Sequence, residues 1–132
     1  MNNYEDIIEK AKGAMRNAYT PYSKFNVGAC VKTKDGKYFI GANIENASYG
    51  LTNCAERTAL FQVYTQGYRK EDIESMAIVG EGPNLISPCG ACRQVMAELI
   101  GRKIPVILST RDEVKVTSID ELMPMAFTSE DL

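Results

Sequence analysis

"ESMAIVGEGPNLISPCGACRQVMAEL", residues 74–99, decides both the fold and the chemistry to look for. "ESMAIVG" (74–80) is a short apolar run bounded by Gly-Pro signals, and it reads as a buried strand. Residues 81–87 form a loop, and a helix is predicted from about Cys89 to Ile100, closed by Gly101. Pro88 suits the first turn of that helix, where its missing N–H is not needed. "KIPVILST" (103–110) then reads as another strand.

Working outward, residues 4–18 place Tyr4, Ile7, Ile8, Ala11, Ala14 or Met15, and Ala18 on one face of a helix. Asn26–Lys34 and Lys37–Asn43 read as a hairpin turned at Asp35-Gly36. "CAERTALFQVYTQG" is a helix with Ala55, Ala59, Leu60 and Val63 facing inward and Gly67 at its C-terminus. "DEVKVTS" reads as an edge strand, and "SIDELMP" as a short helix with Ser118 and Glu121 spaced as a capping box. The order αββαβαββα predicts a single domain over residues 1–132. Its expected architecture is a three-layer α/β/α sandwich on a mixed sheet of about five strands.

Composition narrows the function. The 132 residues carry 15 basic and 17 acidic side chains for a net charge of −2, with no basic run to grip a phosphate backbone, so nucleic acid is not expected as a partner. No apolar run has the length of a membrane span and the N-terminus is unlike a signal peptide, so a membrane partner is not expected either. Four unevenly placed cysteines make no disulfide framework and fit a reducing cytoplasm. The sequence has no histidine, which removes every Ser-His and Cys-His dyad. Proton transfer must fall to a carboxylate, a lysine or water on a metal.

Cys54, Cys89 and Cys92 all lie at predicted helix starts, where unpaired N–H groups and the helix dipole favour a thiolate. Cys30, inside a strand pattern, reads as a small buried hydrophobe. A packing role gives no reason to repeat cysteine one turn apart behind a proline. A redox C-x-x-C couple leaves Cys54 unexplained. Three ligands for one tetrahedral zinc account for all three. The fourth ligand is then Cys30, a carboxylate or water, and Cys30's mid-strand position favours water.

Glu56 falls on the first turn after Cys54, where it can reach such a water without ligating the metal. Its plainer role, an acid at a helix N-terminus, is worth under about 1 kcal/mol. Arg57 can draw charge from the thiolates, or it can be a solvated helix arginine.

"CAE" with "PCGAC" resembles the zinc-dependent nucleoside and nucleobase deaminases, whose signature pairs H-x-E with P-C-x-x-C, with Cys replacing His here. "YTPYSKFNVGA", "GANIENASYG", "NCAERTAL", "SPCGACRQVMAEL" and "LMPMAFTSEDL" together resemble the small homotetrameric cytidine deaminases, nearly end to end. The resemblance implies hydrolysis of cytidine and 2′-deoxycytidine to the uridines in pyrimidine salvage. It implies one zinc per chain on Cys54, Cys89 and Cys92, Glu56 as proton shuttle, and Arg57 beside the thiolates. It further implies Phe25 against the pyrimidine and Asn43 with Glu45 on the ribose hydroxyls. Backbone at Ala55, and at Ser87 or Pro88, would meet the base edge. Tyr49 and Phe127 would enter a neighbouring subunit's pocket. Met125 stands where the family often has glycine. A deaminase of a cytosine-nucleoside antibiotic such as blasticidin S is the rival within enzymes. Outside them, the rival is a zinc-stabilised binding module with its fourth ligand closed by Cys30.

Overall fold

The hairpin predicted around Asp35-Gly36 forms one edge of the sheet, clamped between helices on both faces. A computed structural model describes residues 4–132. The hairpin strands are β1 (Val27–Thr33) and β2 (Tyr38–Ala42), antiparallel with Gly28 opposite Ala42 and Cys30 opposite Ile40. Gly36 takes φ +89°, the left-handed conformation the tight turn requires, and its N–H donates to the Thr33 carbonyl at 3.0 Å.

β3 (Ile73–Gly80) pairs antiparallel with β1 and parallel with β4 (Val106–Ser109), while β5 (Val114–Thr117) closes the far edge. The spatial order is β2-β1-β3-β4-β5, the mixed five-stranded sheet expected. The parallel β3–β4 step needs a crossover, and α3 (Gly90–Leu99) supplies it. β4 is shorter than its apolar run suggests. Pro105 cannot donate to the ladder, and only its carbonyl joins, accepting from the Met76 N–H at 3.1 Å.

Alternation along the strands divides the core. α1 (Glu5–Ala14) packs Ile7, Ile8 and Ala11 on Cys30, Ala77, Val79 and Ile107. The opposite face, with Ala29, Val31, Met76, Ile78 and Val106, takes α2 (Ala55–Thr65), α3 and the short α4 (Ile119–Leu122). These are the three layers. α2 ends in a Schellman turn: Tyr68 N–H donates to Val63 and Gly67 N–H to Tyr64, with Gly67 at φ +98°.

Three local expectations are corrected. α1 ends at Ala14 and tightens into a 3-10 turn, so Ala18 is extended rather than helical. Pro88 lies one residue before Cys89, the N-cap of α3, and so outside the helix. The Ser118–Glu121 capping box does not form. Ser118 makes no side-chain cap bond, and α4 is held instead by Arg102, whose Nε donates to Asp120 at 2.7 Å.

Both helices that clamp the hairpin touch it through glycine. A Cβ on Gly28 would stand 1.9 Å from the Ala11 carbonyl of α1, and one on Gly41 would stand 2.5 Å from the Ala59 nitrogen of α2. These neighbours are backbone and cannot swing away. Gly28→Ala and Gly41→Ala are each expected to lower unfolding free energy by about 3 kcal/mol or more. Gly13→Ala, in open space within α1, is expected to raise it by up to about 1 kcal/mol. Urea unfolding of the three variants reads both signs.

Candidate metal centre and active site

α2 and α3 begin side by side. Cys54 is the N-cap of α2 and Cys89 the N-cap of α3, both with extended backbone and neither with a side-chain capping bond, so both sulfurs are free to face another partner. Cys92, buried in the first turn of α3, completes a triad whose sulfurs all lie within 4.8 Å of one another. The Cys54 and Cys89 sulfurs are 3.9 Å apart. Thiolates at about 2.3 Å from a tetrahedral ion stand roughly 3.8 Å apart, so the donor set fits zinc.

The electrostatics fit as well. A hydrogen bond from Cys92, opposed by burial and reinforced by Arg57, brings Cys54 down to about 5. Cys92, the partner that keeps the proton, is pushed well up by that same bond and by burial. Arg57 Nη2 stands 3.4 Å from the Cys54 sulfur, an interaction that holds the guanidinium firmly charged. The charge-withdrawing arginine read from the sequence is therefore against a thiol and not out in solvent.

Glu56 is 5% exposed. Burial, with the nearby Cys54 thiolate adding to it, pushes its carboxyl up to about 7, against the opposing pull of its own backbone N–H and of Arg57. A carboxyl that exchanges a proton near neutrality, beside a metal-binding triad, is suited to general acid–base work.

Loop 43–53 is tied to the start of α2. Ile44 and Asn53 exchange two backbone hydrogen bonds at 2.9 Å, so Asn43 and Glu45 flank a residue paired one position before Cys54. The Asn43 side chain accepts from Val27 N–H at 3.0 Å and donates to the Phe25 carbonyl at 2.9 Å. It thereby places Phe25, whose ring lies beside Gly80 at the end of β3 and Gly82 in the loop leading to α3.

Glu45 accepts from the N–H groups of Tyr22 (3.0 Å) and Ser23 (3.1 Å) and from the Ser23 hydroxyl, which holds its carboxyl below the usual range. Tyr22, Ser23, Glu45, Tyr49 and Thr52 line a cleft of about 190 Å³. Tyr22 and Ser23 are missed by a reading of motifs; only the turn signal "TPYS" hints at them. Ala55 is fully buried in the first turn of α2, where backbone N–H groups lack helical partners. Tyr49 is 77% exposed and Phe127 58% exposed, and neither is buried against its own chain.

Cys30 packs with α1 in the other layer, and burial pushes its thiol up to about 12. The expectation attached to a closed binding module, with Cys30 as fourth ligand, is overturned by the alternation of β1. Its side chain points through the wrong face of the sheet.

A metal-binding triad with an acid beside it defines a class, the zinc-dependent deaminases. Residues 1–108 match the family described as "Cytidine and deoxycytidylate deaminase zinc-binding region". The chain is 50% identical over 127 residues to a cytidine deaminase of Halalkalibacterium halodurans, covering 96% of this chain and 95% of that one. A crystal structure of cytidine deaminase from Burkholderia pseudomallei superposes with TM-score 0.91 at 52% identity, covering 96% of this chain and all of that one. The enzyme from Mycobacterium tuberculosis superposes with TM-score 0.82 at 32% identity, covering 96% and 98%. The chain belongs to the cytidine deaminase family, and its Cys54, Cys89 and Cys92 form the zinc-binding cluster.

Cys54→Ser, Cys89→Ser and Cys92→Ser are each expected to purify with far less than one zinc per chain, whereas Cys30→Ala keeps full metal. Elemental analysis of the four proteins decides it. Loss of zinc from Cys30→Ala alone would contradict the layer assignment.

Proposed function

We propose that the chain hydrolyses cytidine and 2′-deoxycytidine to uridine and 2′-deoxyuridine with release of ammonia, with Glu56 moving the protons. The observation that carries this reading is a buried carboxyl on the first turn of the helix that Cys54 caps, beside three converging thiols. When bound, zinc supplies the Lewis acidity that makes water a competent nucleophile near pH 7.

Glu56 takes one proton from the attacking water through a carboxylate oxygen as the water oxygen adds to C4 of the pyrimidine. It delivers that proton to N3. The remaining water proton passes through the same carboxylate to the exocyclic nitrogen as the C4–N bond breaks, which leaves a C4 carbonyl, an N3–H and ammonia. The backbone at Ala55 meets the base edge, and Phe25 packs on the ring. Asn43 and Glu45 receive the ribose hydroxyls, with Glu45 kept ionised by Ser23. The near-balanced surface charge of −2 suits an uncharged nucleoside better than a nucleotide.

In this reading the 132 residues act as one catalytic domain in the cytoplasm and assemble as a homotetramer. Exposure of Tyr49 and Phe127 supports a site completed by a neighbouring copy. No helix among the described residues is long and apolar enough to cross a membrane.

Glu56→Gln is expected to keep its zinc and its fold while kcat falls by about 10²–10⁴-fold, followed as loss of cytidine absorbance. Retained turnover would remove Glu56 from the mechanism. Turnover of blasticidin S in the same assay at a rate matching cytidine would shift the substrate assignment. Sedimentation equilibrium is expected to return four times the 14.6 kDa of one chain, and Phe127→Ala to raise KM more than it lowers kcat.

A further inference from the structure

The loop joining β3 to α3 must deliver Cys89 to the metal, and its last residues are held from an unexpected direction. Arg93, on the first turn of α3 and one residue past Cys92, turns its guanidinium back along the chain. Nε donates to the Pro88 carbonyl at 2.8 Å and Nη2 to the Ser87 hydroxyl at 2.8 Å. Nη1 reaches the Leu122 carbonyl at the end of α4, at 2.7 Å. The Arg93 backbone N–H meanwhile donates to the Cys89 carbonyl at 2.9 Å. One residue thus holds 87, 88 and 89 together and anchors them to the C-terminal segment.

Each guanidinium nitrogen has a different acceptor, and the three acceptors surround a planar fork with fixed angles. Pro88 is buried, so its carbonyl requires a partner that water supplies poorly. Cys89 has no side-chain capping bond of its own, so its sulfur, 3.9 Å from that of Cys54, is aimed chiefly by the path of its backbone.

We propose that Arg93 is a positioning residue for the zinc ligand Cys89, fixing the Ser87–Cys89 backbone so that the third sulfur is held in place before the ion binds. The inference rests on Cys89 being a zinc ligand and goes beyond it. The guanidinium bonds of Arg93 go to Ser87, Pro88 and Leu122 and not to a sulfur of the triad. Removing partners that orient metal ligands commonly costs roughly 10–100-fold in affinity.

The test is the rate of zinc release from the full-length protein to a chromophoric chelator, with thermal unfolding of the same samples. Arg93→Gln and Arg93→Lys are expected to release zinc at least about 10-fold faster than the parent. Lysine gives no rescue because one nitrogen cannot span three acceptors. Arg102→Gln is the control. Arg102 also bonds the C-terminal segment, through Asp120 and the Met123 carbonyl, but makes no bond to residues 87–89. It is expected to lower the unfolding temperature with zinc release unchanged.

If Arg93→Gln does not fold, Ser87→Ala carries the test, with faster release expected from loss of a single bond. Release within twofold of the parent in the folded Arg93 variants, or in Ser87→Ala if it alone folds, overturns the proposal. So does equal acceleration in Arg102→Gln, since that would mark a general loss of stability. A parent protein that holds no zinc would instead sink the reading of the site itself.

Discussion

Two helices must start in the same place. The zinc-binding sulfurs come from positions 35 residues apart, and a tetrahedral ion tolerates little error in their spacing. The sheet enforces that coincidence. α2 lies so close on β2 that only glycine fits at position 41, and α3 is carried across by the parallel β3–β4 step. With both helices set on the same sheet face, their N-termini converge.

Convergence also concentrates charge. Three thiolates and a buried carboxylate would repel one another, and helix N-termini together with the Arg57 guanidinium offset that repulsion. The same environment separates the acids by role. Cys54 ionises readily because Cys92 and Arg57 support its thiolate, while Glu56, buried beside that thiolate, is pushed toward neutrality. The carboxyl is thus shifted by its neighbours and not by its own chemistry.

The loops around residues 22–27 and 43–53 are built differently, with polar side chains that hold one another. Asn43 is spent on Phe25 and Val27, and Glu45 on Tyr22 and Ser23. The "NIEN" resemblance implies ribose contacts for both residues, and what the structure shows is scaffolding for the 22–27 segment. That role has no periodicity or spacing to reveal it, because the partners lie some twenty positions away. The Ser118–Glu121 capping box likewise does not form, and α4 is fixed from outside by Arg102 on Asp120.

Local physics in the chain was enough to determine the order of elements, the Asp35-Gly36 turn, the inward face of α2 and the placing of three cysteines at helix starts. Each depends on neighbours within a turn or two, and so is written in short stretches. Only tertiary structure decided that those starts meet, that Cys30 is excluded by facing the other layer, and that Arg57 lies against a thiol. It likewise decided that Arg93 binds the metal loop to the C-terminal segment. These are distances between residues remote in sequence, set by which strand neighbours which and by how closely a helix can approach a strand. No short window of sequence contains them.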